Sequence, residues 1–310
     1  MDKIYDVCII GSGPAGLTAA IYTTRGAAST IIIGGESWGG QLMLTTQVDN
    51  FPTRPGIMGP DLMQKMRDHA VSFGAEFVQK NVESVDISKS PFQITVDGSL
   101  ITSRSVIVAT GAQTLWLDVP GISKLIGRGV SSCAPCDAPF FKGKKVAVVG
   151  GGDSAMEEAS VLTKYASEVT IIHRREEFRA SKAMQEKVLH DPKIKILWNT
   201  EVAEVVGEDR VMSLKVKNNK TNEISDLPID GVFVAIGHKP NSDIFKGLIE
   251  TDEEGFIKNH FDKYHTATSV PGVFVCGDVF DSQYKQAVTS AGSGCMAGMD
   301  ALKYLEGTSK

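Results

Sequence analysis

The sequence is poor in the features that mark several large classes of protein. Its 310 residues include five cysteines, six histidines and three tryptophans, and 32 Lys and Arg against 37 Asp and Glu give a formal net charge of −5. No basic block stands out, so we do not expect nucleic acid as a partner. Five scattered cysteines also argue against a disulfide-stapled secreted scaffold.

Long apolar runs are missing as well. The first run, within MDKIYDVCIIGSGPAG, is too short to span a membrane, and no small-residue cleavage site follows it. We therefore expect no membrane association and a cytoplasmic location. A hydrophobic content of 42% and a charged content of 22% are typical of a globular protein. The length of 310 residues favours two domains over one.

A glycine-rich turn follows the first apolar run. Residues 5–10 predict a buried parallel strand, and residues 17–22 suit a helix. Between them lie Gly11, for the tight turn, Gly13, where a pyrophosphate can approach the backbone, and Gly16, for close packing of helix on strand. Strand, turn and helix thus occur in the order of a dinucleotide-binding unit, with the phosphates at the helix N-terminus.

The same unit occurs a second time. Residues 146–149 predict a strand, the sequence GGGDSA follows at residues 150–155, and a helix comes next. Ala155 replaces the third glycine, which the motif allows.

The two units differ in the residues after their second strand. In the first, a strand at Thr30–Ile33 precedes Glu36, a carboxylate that could bind a ribose hydroxyl. In the second, a strand at Glu168–Ile172 precedes HRREEFR, whose basic residues are His173, Arg174, Arg175 and Arg179. This cluster would favour a 2′-phosphate, so the second unit predicts NADPH and the first an NAD-like dinucleotide or FAD. The alternative is a solvated, charged start of a helix.

The C-terminal region supports a flavoprotein. Residues 273–276 predict a strand, Gly277 and Asp278 follow it, and a helix is expected from about Lys285. A carboxylate there suits the hydroxyl chain of a flavin, and a helix N-terminus near Gln286 and Ala287 suits the reduced ring. Two dinucleotide sites in one chain indicate a flavoprotein that takes electrons from a nicotinamide.

Cys133 and Cys136 are separated by two residues, a spacing that allows half a zinc site, a structural disulfide or a redox switch. The other cysteines are isolated, and two of them, Cys8 and Cys276, lie in apolar runs where burial is expected. A zinc site needs four ligands, so no metal is expected. A reducing cytoplasm disfavours a permanent disulfide, and the redox switch is therefore favoured.

Taken together, these features resemble the low-molecular-weight thioredoxin reductases over essentially the whole chain. The stretches that carry the resemblance are the first glycine turn, GGQL, VDNFP, ATG, CAPCD, GGGDSA, HRREEFRAS, AIGHKPN, GVFVCGD and AGSGCMAG. The resemblance implies an α/β protein with two Rossmann-like dinucleotide-binding domains, the NADPH domain being inserted into the FAD domain. The expected boundaries are 1–115 and 242–310 for the FAD domain and 116–241 for the NADPH domain. Linkers near 115–120 and 239–243 would let the inserted domain rotate.

The resemblance also implies site residues. The flavin contacts would be Gly11, Gly13, Pro14, Ala15, Gly16, Glu36, Gly40, Gln41, Asn50, Gly277, Asp278, Gln286 and Ala287. The NADPH contacts would be Gly150, Gly152, Asp153, Ser154, Ala155, His173, Arg174, Arg175 and Arg179. Cys136 would face the flavin and Cys133 the partner, a thioredoxin or thioredoxin-like protein, which would dock on Arg128, Phe140 and Phe141. Asp137 would exchange protons with the thiolates, with helix capping as its alternative role. A homodimer is also implied.

Three departures from the family pattern affect these expectations. Pro135 stands where Thr or Val is usual and removes a backbone N–H near the sulfurs. Ala138 and Pro139 replace a Gly and an aromatic residue on the expected docking surface. Lys285 replaces an Arg, which keeps the charge but loses the planar fork.

Other functions remain open at this point. A ferredoxin–NADP reductase on the same fold would lack the cysteine pair, and a flavin-dependent disulfide oxidase would not need the arginines. A redox sensor that binds nucleotide without turnover is the non-enzymatic alternative.

Overall fold

The structure is a computed structural model that describes residues 3–45, 47–53, 55–261 and 263–308. The chain divides into two compact units. The first lies within residues 1–113 and 239–310, and the second is formed by residues 114–238. One unit is thus inserted into the sequence of the other.

The helices and strands are numbered in chain order. The strands are β1 (Ile4–Ile10), β2 (Thr30–Ile33), β3 (Gln47–Val48), β4 (Ile57–Met58), β5 (Glu76–Val78), β6 (Val82–Asp86), β7 (Phe92–Val96), β8 (Ser99–Val108), β9 (Ala112–Thr114), β10 (Val130–Ser131), β11 (Lys145–Val149), β12 (Glu168–Ile172), β13 (Ile194–Leu197), β14 (Thr200–Gly207), β15 (Val211–Asn218), β16 (Ile224–Pro228), β17 (Gly231–Val234), β18 (His238–Pro240) and β19 (Val273–Val275). The helices are α1 (Pro14–Arg25), α2 (Gly59–Ser72), α3 (Ile122–Leu125), α4 (Ala134–Asp137), α5 (Asp153–Leu162), α6 (Lys182–Leu189) and α7 (Ala287–Thr308).

The first unit is built on a seven-stranded sheet in the order β5-β2-β1-β8-β7-β6, with β19 paired to β8. Strands β5, β2, β1, β8 and β19 run parallel, whereas β6 and β7 are antiparallel. The parallel part joins segments far apart in sequence, since β19 pairs with the end of β8. The carboxyl ends of β1, β2 and β19 therefore lie along one edge, where ligands bind in open α/β sheets.

Strand β1 is apolar at nearly every position because both of its faces are covered. Cys8 and Ile10 belong to one hydrophobic cluster, and Val7 and Ile9 belong to another. Successive side chains of a strand point to opposite faces, so two cores require a continuous apolar run rather than alternation. The predicted burial of Cys8 is confirmed, as is that of Cys276.

Helices α1 and α7 pack closely against each other through small residues. A Cβ at Gly294 would lie 2.1 Å from the carbonyl oxygen of Ala15, and one at Gly298 would lie 3.0 Å from that of Ala19. Helix α1 begins at Pro14, before the predicted residue 17, because the second half of the glycine turn is already helical and proline suits a first helical position.

The second unit contains a five-stranded parallel sheet in the order β10-β17-β11-β12-β13 and an antiparallel sheet of β14, β15 and β16. Strand β11, like β1, is covered on both of its faces. Val146 and Val148 enter one cluster, while Ala147 and Val149 enter a second.

Candidate functional site

The first glycine turn separates glycines that packing requires from one that it does not. Gly11 has φ +115°, and a Cβ there would lie 2.1 Å from the carbonyl oxygen of Ala109. A Cβ at Gly16 would lie 2.1 Å from the carbonyl oxygen of Gly11. At Gly13, by contrast, a Cβ would meet no atom within 4 Å. Packing fixes the first two, whereas Gly13 exposes backbone ahead of the first turn of α1, as a dinucleotide phosphate requires.

Ser12 joins this turn to the segment after β2. Its hydroxyl donates to the carbonyl oxygen of Gly34 at 2.7 Å and accepts the N–H of Gly39 at 3.0 Å. Gly40 therefore lies beside the turn, since its Cβ would be 3.6 Å from the Cα of Gly13. The sequence offers no signal for Ser12, because its partners lie in a later segment.

Of the other predicted flavin contacts, Gly277 and Asp278 lie near the same turn, and Asn50 and Gln286 contact each other. A Cβ at Gly277 would lie 2.9 Å from that of Ala15. Next to it, Asp278 accepts the hydroxyl of Ser290 at 2.7 Å, and burial raises the pKa of its carboxyl. Asn50 donates its side-chain amide to the side-chain oxygen of Gln286 at 3.2 Å.

Two further predicted contacts keep exposed side chains. Glu36 is held through its main chain, because its N–H donates to the Asn81 side chain at 3.1 Å and its carbonyl accepts from Gln79 at 3.2 Å. Gln41 donates its side-chain amide to the carbonyl oxygen of Ala112 at 3.4 Å.

Helix α7 begins at Ala287, two residues later than the expected Lys285, because Asp281 organises the preceding loop. Its carboxylate accepts the N–H groups of Gln283, Tyr284 and Lys285 at 3.0, 2.8 and 3.2 Å. Lys285 takes a left-handed conformation, with φ +48°. Its ammonium lies 5.8 Å from the centre of a ring, that of Phe256.

The second glycine turn repeats the layout of the first. A Cβ at Gly150 would lie 2.4 Å from the carbonyl oxygen of Ala235, whereas one at Gly152 would meet nothing within 4 Å. Ala155 is fully buried in the position of the third glycine. Asp153, in the first turn of α5, accepts both the N–H and the hydroxyl of Ser181 at 2.8 Å, while Ser154 is exposed.

His173 does not add charge to the arginine cluster, which corrects the prediction. It is 5% exposed, and its Nε2 is 2.9 Å from the carbonyl oxygen of Glu177. Its ring lies against Gly151, where a Cβ would be 2.1 Å away. Burial lowers the pKa of His173, so at neutral pH it is an uncharged support of the turn.

The three arginines are exposed, as a phosphate-binding group requires. None of the guanidinium groups of Arg174, Arg175 and Arg179 forms an ion pair within the part of the chain that the structure describes. The main chain of Arg179 is fixed, since its N–H donates to the carbonyl oxygen of Gly151 at 2.8 Å. This bond ties the cluster to the second glycine turn.

Cys133 and Cys136 form a disulfide across the short helix α4, with their Cα atoms 5.3 Å apart. The carbonyl oxygen of Cys133 accepts the N–H groups of Cys136 and Asp137 at 3.2 and 3.1 Å. Pro135 is the second residue of the helix, where an N–H has no partner within the helix, so this departure costs the turn no hydrogen bond. Among the described residues, no group of three or more His, Cys, Asp or Glu side chains could hold a metal.

Two carboxyl groups accompany the disulfide. Burial raises the pKa of Asp137, against the effect of a hydrogen bond from Ser131. The hydroxyl oxygen of Ser131 also accepts the N–H of Cys133 at 3.1 Å. Glu158, on α5, accepts the N–H of Ala134 at 2.6 Å.

Burial is the main cause that raises the pKa of Glu158 to about 7, and the negative charges of Glu157 and Asp137 add to it. Glu158 is absent from the residues predicted for the site. The signal available was that it lies three residues after Ala155 and four before Leu162, on the buried stripe of α5.

Comparisons with known proteins identify the family. The profile of a family described as "Pyridine nucleotide-disulphide oxidoreductase" matches residues 5–294. The chain is 49% identical over 308 residues to a thioredoxin reductase of Streptomyces coelicolor, covering 98% of this chain and 95% of that protein. The chain belongs to the thioredoxin reductase family.

Solved structures of family members agree with the fold. A thioredoxin reductase from Giardia duodenalis superposes with a TM-score of 0.93 at 40% identity, covering 98% of this chain and all of the other. One from Streptococcus pyogenes MGAS5005 gives a TM-score of 0.94 at 38% identity, covering 99% and 100%. The predicted family and the α/β fold with two Rossmann-like units are confirmed, and the protein is an oxidoreductase.

The docking residues expected for this thioredoxin reductase family member fall into two groups. Arg128 and Phe140 are exposed, as is Pro139. Phe141 is only 7% exposed and packs edge-on against Phe233, with ring centres 5.2 Å apart. The prediction for Phe141 is therefore wrong in this structure, since a side chain within the core cannot meet a partner. In the described residues, no helix is both long and apolar enough to cross a membrane.

Proposed function

We propose that the protein is an NADPH-dependent thioredoxin-disulfide reductase that contains FAD. The observation that carries the proposal is the Cys133–Cys136 disulfide, in a family whose description names both a pyridine nucleotide and a disulfide. The two glycine turns support it, because each leaves one backbone position, Gly13 or Gly152, open to a phosphate.

We assign FAD to the first unit. FAD, when bound, supplies two-electron transfer between the nicotinamide and the disulfide. Gly13 and the N-terminus of α1 would hold the pyrophosphate, and Glu36 a ribose hydroxyl. Asp278 would bind the hydroxyl chain of the flavin. The remaining assigned contacts are Gly11, Pro14, Ala15, Gly16, Gly40, Gln41, Asn50, Gly277, Gln286 and Ala287.

We assign NADPH to the second unit. Gly152 and the N-terminus of α5 would receive the pyrophosphate, and Arg174, Arg175 and Arg179 the 2′-phosphate. Gly150, Asp153, Ser154 and Ala155 complete the predicted turn. Asp153 and His173 contribute by holding the loop that carries the arginines, since their side chains bond to that loop's main chain.

The proton balance explains the need for an acid beside the disulfide. NADPH gives up a hydride, which carries two electrons and one proton, whereas reducing a disulfide to two thiols consumes two electrons and two protons. The second proton comes from solvent, and Asp137, whose pKa burial raises, would deliver it. The Cys133 thiolate then attacks the thioredoxin disulfide, a mixed disulfide forms, and the Cys136 thiolate breaks it, which releases thioredoxin as a dithiol.

The test is an assay that couples NADPH oxidation to thioredoxin and a colorimetric disulfide. We expect NADPH consumption that requires thioredoxin and matches the reduction of the colorimetric disulfide one to one. NADPH oxidation that proceeds equally without thioredoxin, with oxygen as acceptor, would instead indicate an oxidase. No steady turnover with any thioredoxin tested would favour a redox sensor.

We also propose a cytoplasmic homodimer that associates through the first unit, as the resemblance implies. Sedimentation should give twice the chain mass of 33.3 kDa at micromolar concentration. A monomer at that concentration would contradict it.

A further inference from the structure

The Cys133–Cys136 turn depends on a carboxylate from another helix. Four residues form α4, from Ala134 to Asp137, and the first amides of any helix lack partners within it. Pro135 has no N–H, and the N–H groups of Cys136 and Asp137 reach the carbonyl oxygen of Cys133. The remaining amide, that of Ala134, donates to Glu158.

The side chain of Cys133 does not cap α4. Glu158, a residue of α5, caps it instead through the Ala134 N–H. A charged acceptor at 2.6 Å is a strong hydrogen-bond partner. The bonded amide directly follows Cys133 and lies between the two sulfur-bearing residues. Fixing this amide therefore restrains the turn that brings the two sulfurs together.

Glu158 also lies close to the Cys133 sulfur. Four covalent bonds separate the Ala134 nitrogen from this sulfur, so the accepting oxygen lies within roughly 7–8 Å of it. At that distance a negative charge lowers the thiolate population of Cys133 by roughly tenfold or more at an effective dielectric constant of about 20. The acidic groups that act on Glu158 itself are Glu157, on the same helix, and Asp137, from α4.

We propose that Glu158 is a positioning residue of the redox pair, which fixes the Cys133–Cys136 turn through the Ala134 N–H and restrains thiolate formation at Cys133 through its own negative charge. The inference deepens the proposed function and rests on it for its biological meaning. Its tests need neither NADPH nor thioredoxin, so the two proposals can fail separately.

The direction of the charge effect follows from the titration of Glu158. Its pKa is raised to about 7, so the carboxyl is neutral well below that pH and negative above it. A negative Glu158 opposes a second negative charge on Cys133 and raises the apparent pKa of the thiol. Removing the charge should therefore increase the thiolate population above pH 7 and leave it unchanged near pH 6.

The first experiment measures alkylation of the reduced pair. Full-length protein is reduced with dithiothreitol, freed of reductant without air, and treated with iodoacetamide between pH 6 and pH 8.5. The modified cysteines are then counted in the tryptic peptide of residues 129–142. The cysteines of Glu158→Gln should be alkylated about five- to tenfold faster than those of the wild-type protein between pH 7.5 and 8, and at an equal rate at pH 6.

Glu157→Gln is the matched control, because it removes the neighbouring exposed carboxylate. Its alkylation rate should stay within about twofold of the wild-type rate at every pH. Equal alkylation rates for Glu158→Gln and the unmodified protein at every pH would overturn the charge effect. If Glu158→Gln does not fold, Cys136→Ser tests the effect, because it leaves Cys133 as the one thiol of the peptide. Its alkylation profile must rise less steeply above pH 7 than an ordinary single-thiol curve, and an ordinary curve would overturn the effect.

The second experiment tests the hydrogen bond at pH 6, where Glu158 is neutral in the unmodified protein. The equilibrium between disulfide and dithiol is measured against dithiothreitol with the same peptide. Glu158→Gln keeps an acceptor for the Ala134 N–H, whereas Glu158→Ala does not. We expect Glu158→Ala to shift the equilibrium about fivefold towards the dithiol relative to Glu158→Gln, since a looser turn holds the two sulfurs together less often. Equal constants for the two variants would overturn the positioning role.

Discussion

The two glycine turns are built alike and differ in their surroundings. Each leaves one glycine, Gly13 or Gly152, open on the side of the helix N-terminus. Small residues of α7, such as Gly294, pack against the first turn, whereas the buried ring of His173 packs against the second turn. An exposed acid comes after β2, and exposed arginines come after β12. In the proposed function, the turn of each unit would bind a phosphate, and the residues beyond the second strand would decide which nucleotide is bound.

The strongest test of this difference between the units is to remove the redox cysteine pair of the second unit and leave the first unit unchanged. Cys136→Ser should lower thioredoxin reduction by more than about a thousandfold, because a single thiol cannot resolve the mixed disulfide. Flavin content should stay unchanged, since the assigned flavin contacts lie in the first unit. The activity assay and the visible spectrum check the two parts.

Cys295→Ser is the control for this variant, because Cys295 forms no disulfide and lies in α7. Its activity should be near normal. A Cys136→Ser protein that reduces thioredoxin at the usual rate would contradict the role given to the pair.

The arginines sharpen the contrast with Glu36. The protein should prefer NADPH to NADH by at least about tenfold in kcat/KM, because each charge-assisted bond to the 2′-phosphate contributes about 1.5–3 kcal/mol. Arg175→Ala should reduce that preference about tenfold, chiefly by raising KM for NADPH. Lys187→Ala, an exposed cation on α6, should not change it. Equal kcat/KM values for the two nucleotides in the unmodified protein would reject the assignment.

The open glycines separate the two units by ligand. Gly13→Ala should reduce the flavin content several-fold, and Gly152→Ala should raise KM for NADPH several-fold at normal flavin content. With the flavin removed from all proteins, both variants should keep the melting temperature of the original protein, because neither added Cβ meets a protein atom. Gly16→Ala should instead lose about 1–3 kcal/mol of stability or more, since its Cβ would overlap a carbonyl. A fully flavinated Gly13→Ala protein would show that the first turn does not hold the pyrophosphate.

His173 gives the smallest expected effect. Its folded-state pKa is lowered by burial, so the unfolded chain takes up a proton at higher pH than the folded protein does. The stability of the second unit should therefore fall as pH drops below about 6.5. His173→Gln should flatten the dependence of melting temperature on pH between 5.5 and 7.5, whereas the exposed His190→Gln should not. The same slope in both variants would contradict the neutral role.

These cases also show which features the sequence could predict. Strands β2 and β12 match their predicted bounds, because a short apolar run bounded by polar or glycine residues is a local signal. The glycines of both turns were likewise recognisable, since their roles depend on immediate neighbours. The fold class followed from that order of strand, turn and helix.

The features that the sequence could not provide depend on partners far along the chain. Glu158 meets an amide 24 positions earlier, and Ser12 joins two glycines more than 20 positions later. His173 and Phe141 stand in polar or exposed-looking contexts but are buried by Gly151 and Phe233. Each outcome is set by packing, which no local spacing reveals.

In the proposed reaction, electrons from NADPH reach the Cys133–Cys136 disulfide. The most direct measurement adds two equivalents of NADPH, enough for both the flavin and the disulfide, to the oxidised protein without oxygen or thioredoxin, then alkylates it and analyses the peptide of residues 129–142. We predict two new thiols in that peptide with NADPH, and few with the same amount of NADH over the same time. An intact disulfide after the NADPH has been consumed would contradict the account.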